Sequence, residues 1–258
     1  MLQLLKRRLR PFKPILGPIW QRVQAIPRAR QRMAIRSARR AAEAADAARR
    51  AAGQADPPIR AMRSYEILEL ATSIPYYRAR GGYMQVAAGI ADELIARDRL
   101  TTALELGPHR QPLIVGADVM DLRLSPDLRT TGRQIAADAT KAPWPFADRS
   151  YDLFVALQVF EHLGTGQAAA FREIRRVARH AMLSLPIDWV MDDPTNCHHG
   201  IHHEDVLAWV APLVPTRVVV GNGGRRKRVI YVFEDLETAA PVDGSSDPAR
   251  EEAAPAVI

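Results

Sequence analysis

Gln158, Glu161 and His162 stand at the end of an apolar run, residues 151–160, within the stretch DATKAPWPFADRSYDLFVALQVFEHL (138–163). The run is rich in β-branched and aromatic side chains and is led in by Asp148 and Ser150, which predicts a buried central strand. Polar groups at the carboxyl end of such a strand sit where an open α/β sheet places its ligand. A second cluster, Cys197-His198-His199-Gly200-Ile201-His202-His203, holds four of the seven histidines. Imidazoles and a thiol suit general-base work, substrate contacts or metal ligation. There is no second cysteine and no paired ligand motif elsewhere in the chain, so no metal site is expected. Substrate binding, a base, or plain loop polarity remain open for this cluster.

Further acids close shorter strands. Residues 101–107 (TTALELG) predict a strand ending Glu105-Leu106-Gly107, followed by Pro108 and His109. Glycine there lets the backbone pass close to a ligand. Residues 113–121 predict a second strand finishing at Asp121, and residues 135–138 a third finishing at Asp138. Helices are expected at 59–70, stopped by Pro75, and at 83–100, with a polar-aromatic loop (Tyr76, Tyr77, Arg78, Gly81, Gly82) between them. Further on, a helix is expected at 165–179, a fifth strand at 182–185, a helix at 204–210, and a hairpin of 217–220 with 227–233. A loop like that at 76–82 can fold over a ligand, although most such loops only connect.

Charge separates the chain into parts. The formal net charge is +7, yet residues 1–63 carry 16 Lys/Arg against 3 Asp/Glu, leaving the remainder at −6. The basicity therefore belongs to an N-terminal extension and says little about what the site binds. Three parts are expected: 1–58 as a basic, Ala/Arg-rich helical or partly disordered extension, 59–236 as the folded domain, and 237–258 as a disordered tail. Residues 1–27 interleave Leu, Ile, Phe and Trp20 with basic side chains. That makes them a candidate for peripheral membrane contact, weighed against packing on the domain or on a partner. Residues 28–52 predict a solvated helix with few large apolar side chains. They lack aromatic stacking groups, and nucleic-acid binding is not favoured. No apolar run reaches the roughly 20 residues of a spanning helix, no cleaved secretory signal is expected, and Cys197 stands alone. A cytoplasmic protein, at most peripheral to the inner face of the membrane, is the expectation.

The acid-Gly end of strand one, the acid ending strand two, D-A…P-W-P-F-A-D-x-S-Y-D, V-F-E-H-L and F-R-E-I-R-R-V together resemble the class I S-adenosylmethionine-dependent methyltransferases. The resemblance spans about half of the chain and points to the branch acting on small molecules, lipids or sugars. It implies an α/β, Rossmann-like, seven-stranded and mostly parallel sheet with helices on both faces and one antiparallel edge strand. S-adenosyl-L-methionine is the implied cofactor. Glu105, Gly107 and Pro108 would lie by its methionine part and Asp121 by the ribose hydroxyls. Asp138 and Ala139 would meet the adenine, with Gln158, Val159 and Phe160 near the sulfonium. His162 would face the acceptor, and D-D-P-T-N-C-H-H resembles a D-P-x-H-like segment that makes His199 an acceptor-side candidate. Glu161 would anchor the following helix.

The chain departs from the family pattern at one place. Relatives usually have a Gly-rich first loop and a full helix before strand two, whereas Gly107-Pro108-His109-Arg110-Gln111-Pro112 runs straight on. Arg110 or His109 is expected to replace the missing helix N-terminus toward the methionine carboxylate. Methyl transfer to an O or N of a small-molecule or glycan-like acceptor is the leading expectation, and a catalytically silent binding or scaffold protein the alternative. A nicotinamide-dependent oxidoreductase is disfavoured, because no G-x-G-x-x-G is present.

Overall fold

The structure, a computed structural model, describes residues 28–222 and 226–236. The expectations for 1–27 and 237–258 lie outside the described residues. The helices are α1 (Arg28–Ala51), α2 (Ser64–Ser73), α3 (Pro75–Arg78), α4 (Gly81–Asp98), α5 (Gln167–Val177) and α6 (His203–Val210). The strands are β1 (Arg60–Ala61), β2 (Ala103–Leu106), β3 (Ile114–Val115), β4 (Asp118–Asp121), β5 (Gln134–Ala136), β6 (Tyr151–Leu157), β7 (Ala178–Pro186), β8 (Arg217–Asn222) and β9 (Arg228–Phe233).

Seven strands form one sheet in the order β5-β4-β2-β6-β7-β9-β8. The first five of that order are mutually parallel, and β9 runs antiparallel to both β7 and β8. The antiparallel strand is therefore the penultimate one and not the edge expected from the resemblance; β8 forms the edge. The period-2 alternation of β6 divides the core. Leu153 and Val155 pack with the α2 and α4 side chains Ile67, Ala87 and Leu94, while Phe154 and Ala156 face Phe171 and Ile174 of α5. Strands buried on both faces read as continuous apolar runs, which is why β6 and β7 were visible in the sequence.

Several boundaries differ from expectation, each for a physical reason. Residues 113–121 split into two strands at Gly116, whose φ of +91° turns the chain. A Cβ there would lie 2.4 Å from Pro58 O, so only glycine lets β3 approach and pair with β1. β6 stops at Leu157 because Gln158 adopts φ +59°, and Phe160–His162 then form a 3₁₀ turn. Residues 178–179, expected as the end of a helix, join β7, which also takes in 180–181. Pro75 both ends α2 and opens α3, as its fixed φ suits the first helical turn. α1 is mostly exposed but is tethered: Ile35 is buried, Asp46 pairs with Arg63 at 2.6 Å, and Arg39 pairs with Glu69. Among the described residues no helix is long and apolar enough to cross a membrane.

Candidate active site

The parallel strands β4, β2 and β6 deliver their carboxyl ends to one edge, and the expected cofactor residues gather there. Gly107 has φ +60° and donates its N–H to Met120 O at 2.9 Å, which turns the chain off β2. A Cβ on Gly107 would meet Val159 Cγ2 at 3.0 Å, so the loop lies flat on the Val159 side chain. Asp121, at the tip of β4, is half-buried and accepts one bond from the Arg123 N–H at 3.1 Å. In register with Asp121 is Ala136 of β5, and Asp138 follows two residues on. Asp138 Oδ1 accepts from the Thr140 N–H (2.9 Å) and hydroxyl (2.7 Å), and these bonds hold its carboxyl below the usual range. Ala139 O accepts from Trp144 Nε1–H at 3.1 Å, anchoring the P-W-P-F turn under this loop.

Other expected residues are placed differently. Glu105 is buried, and its two oxygens accept from the Leu113 N–H (2.9 Å) and the Ile114 N–H (3.1 Å). Burial pushes its carboxyl up to about 8, partly opposed by those two amides. The Glu105 side chain thus secures the short return of chain between β2 and β3. Phe160 is sunk in the core, so its ring is not exposed at the site. Gln158 turns away from β2: its Nε2 donates to Ser184 Oγ at 2.9 Å, and its Oε1 accepts from Arg228 Nε at 3.0 Å. Arg110 pairs with Asp127 at 3.2 Å.

The 76–82 segment lies over the first loop. The Tyr77 hydroxyl accepts from the Arg110 (3.2 Å) and Gln111 (3.1 Å) N–H groups and lies 3.4 Å from Pro108 O. The Arg80 guanidinium stacks on Tyr76 (3.7 Å), which stacks on His109 (4.1 Å, 11°). Arginine, tyrosine and histidine form a three-layer cover over the loop after β2, so this segment is more than a connector.

A cluster of histidine, cysteine and carboxylate side chains collects past β6. The Cys197 Sγ lies 3.2 Å from His162 Nδ1, and His198 meets His162 edge-on at 5.1 Å. His198 also stacks on Trp189 at 5.8 Å, and Arg228 lies 4.9 Å over the Trp189 ring. Burial lowers the pKa of His162 and of His198, with Arg80 adding to both. Both therefore favour the neutral imidazole, the form able to accept a proton. Beneath them Glu161 is buried, with neither oxygen hydrogen-bonded, and burial raises its carboxyl to about 7. It forms no anchoring bond to α5. His199 does not join this group; its Nδ1 accepts from the Met191 N–H at 3.0 Å within its own loop. His202 caps α6 and pairs with Asp188 at 2.9 Å, while His203 meets the Tyr231 hydroxyl at 3.1 Å.

Sequence reasoning missed Cys197, His198, Trp189, Arg80 and Arg228 as site residues. The first two were legible as a cluster, but not which imidazole faces His162. Arg228 carries no local signal, because it reaches Gln158 across 70 residues of sequence.

The strand order and this edge geometry define a methyltransferase-type α/β fold. Residues 101–181 match the family described as "Methyltransferase domain". That match covers less than half of the chain and supports S-adenosyl-L-methionine as cofactor. Among solved structures, the N-methyltransferase NodS from Bradyrhizobium japonicum WM9 in complex with S-adenosyl-L-homocysteine is 17% identical, with a TM-score of 0.43, covering 65% of this chain and 90% of that one. A SAM-dependent methyltransferase from Aquifex aeolicus is 13% identical with a TM-score of 0.36, covering 51% of this chain and 80% of that one. No curated protein shows significant sequence similarity to this chain.

Proposed function

We propose that the chain transfers a methyl group from S-adenosyl-L-methionine to an oxygen or nitrogen of a small-molecule or glycan-like acceptor. The observation that carries this reading is the pairing of two edges. Asp121, Asp138 and the flat Gly107 turn lie on one side, and neutral-leaning imidazoles beside a buried carboxylate lie past β6. The residues fit the cofactor. The half-buried Asp121 can accept from two ribose hydroxyls, Asp138 from the adenine amino group, and the Gly107-Pro108 backbone beside Val159 can line the methionine part. When bound, the cofactor supplies an electrophilic methyl group on a sulfonium.

The chain's own work is alignment and proton handling. Alignment of a nucleophile with the methyl carbon can account for much of such a rate. His162 stands nearest in sequence to the β6 tip and is solvent-facing, so it can take the proton of an acceptor hydroxyl. Trp189 and Arg228 give an aromatic and cationic wall suited to a polar ring such as a sugar. The single cysteine fits a reducing, cytoplasmic setting. Residues 1–27 are proposed to touch the inner face of a membrane, which equal liposome flotation of full-length and truncated protein would disprove.

Calorimetry with S-adenosylmethionine, S-adenosylhomocysteine and NAD tests the cofactor, and a radiolabelled-methyl screen over sugars, amines and phenols tests the acceptor. Binding of both sulfur compounds without labelled product from any acceptor would favour the silent-scaffold alternative. Failure of both to bind at millimolar concentration would sink the proposal.

A further inference from the structure

Past the tip of β6 the fold builds a ligand set that the linear spacing of the 197–203 segment conceals. One ligand atom from each of His162, Cys197 and His198 lies within 4.8 Å of the others. His162 comes from the turn after β6 and the other two from the loop after β7, so the histidine-rich loop finds its missing partner in a segment 35 residues away. The second observation lies directly beneath. Glu161 is 4% exposed, its side chain fully buried, and neither of its oxygens has a hydrogen-bond partner. Its Oε1 points toward the cluster, 3.8 Å from His198 Nε2.

The histidine tautomer sharpens this. Asn196 Oδ1 can only accept, so at 2.8 Å His198 Nδ1 must donate to it, leaving the lone pair on Nε2. Two electron-pair-bearing atoms, Nε2 and a carboxylate oxygen, then face each other too far apart for a hydrogen bond. A cation resolves that confrontation, and the Asn196 bond is the outer-shell support that metal-bound histidines use. The spacing is also right. Tetrahedral zinc, with bonds of about 2.0–2.3 Å, separates its ligand atoms by roughly 3.3–3.6 Å. The Cys197–His162 distance of 3.2 Å and the Glu161–His198 distance of 3.8 Å bracket that range.

We infer that His162, Cys197 and His198, with Glu161 on the inner side, form a binding site for a zinc-class divalent cation. A thiolate with two imidazoles selects zinc over magnesium or calcium. One thiolate and one carboxylate neutralise the dication, as a partly buried site requires. The inference does not depend on the proposed methyl transfer, and His162 serves as the base proposed above only in the cation-free protein.

The test uses the untagged full-length protein, stripped of metal and titrated with cobalt(II) and then zinc. The expected result is one tight equivalent, with a thiolate-to-cobalt charge-transfer band and the intense visible absorption of four-coordinate cobalt, both erased by zinc. Cys197→Ser should abolish the charge-transfer band, and Glu161→Gln should weaken zinc roughly 10- to 100-fold, the range seen when a supporting group is removed. The double variant His202→Ala/His203→Ala, two histidines of the same segment outside the set, should leave the band intact. Circular dichroism confirms that each variant folds; Cys197 is exposed, so serine there disturbs no packing. Absence of the band in the wild-type protein, or unchanged zinc stoichiometry and affinity in Cys197→Ser and His162→Ala, overturns the site. Because the readout is metal occupancy, its failure leaves the proposed function standing, and failure of methyl transfer leaves the site standing.

Discussion

Replacing Glu105 by glutamine should change how stability depends on pH, and in a way that separates its two roles. In the wild-type protein burial raises the carboxyl from 4.5 to about 8. A carboxyl whose folded pKa is raised favours the protonated form in the fold. Its contribution is fully present below about pH 4.5 and is lost as pH rises through about 8. At 1.36 kcal/mol per unit, the loss across that window is on the order of 5 kcal/mol at most. Glutamine removes the titration but turns an N–H₂ toward one of the two amides that Glu105 now accepts, from Leu113 and Ile114. A buried donor left unpaired costs about 1–3 kcal/mol. The variant should therefore be less stable than wild type near pH 5, and the gap should close or invert by pH 8. Urea unfolding followed by circular dichroism at half-unit pH steps gives both curves, and their difference cancels every other titrating group. A constant offset between wild type and variant from pH 5 to 8 would refute the reasoning.

Three other outcomes follow from single side chains. If Asp121 holds the ribose as proposed, Asp121→Asn should weaken S-adenosylhomocysteine binding about 10-fold or more through loss of a charged acceptor, while the melting temperature holds; calorimetry and thermal melts read both. Gly107→Ala puts a Cβ at φ +60° and 3.0 Å from Val159, so it should cost about 1–2 kcal/mol in stability and lower cofactor affinity as well. Gly116→Ala sets a Cβ 2.4 Å from Pro58 O and should part β1 from β3, costing about 2 kcal/mol or more in urea unfolding with little change in the affinity of protein that remains folded.

β2 and β6 of the parallel half were legible because they are buried on both faces. Residues 103–106 and 151–157 fall inside the expected strands for that reason, whereas β5, mostly exposed, starts one residue before and ends two residues short of the expected 135–138. What escaped was set by backbone turns that any apolar pattern hides. LIVGADVMD reads as one strand, yet Gly116 breaks it, because Pro58 comes from a distant part of the chain. VF at 159–160 reads as strand, yet the left-handed Gln158 turns it into a 3₁₀ segment. The hairpin was visible, but nothing in β-strand composition says that β9 enters beside β7 and leaves β8 at the edge.

The same division runs through the site. The roles proposed for Asp121, Asp138 and Gly107 rest on their own positions at or just past a strand end, so their types and spacing announce them. Glu105 shares that pattern, but its side chain serves the backbone of 113–114, because with no helix in that return the two amides need an acceptor close by. The cluster past β6 is assembled from separate loops and a distant strand, so its members have no common period. Three consecutive residues of the CHH run take different directions: Cys197 toward His162, His198 toward Trp189 and Glu161, and His199 back to Met191. Which of two adjacent imidazoles enters a site is decided by the turn that carries them. Here that turn is closed by Asn196 O, which accepts the His199 N–H at 2.8 Å. A residue pair that looks redundant in sequence is therefore divided by one backbone bond into a site member and a loop strut.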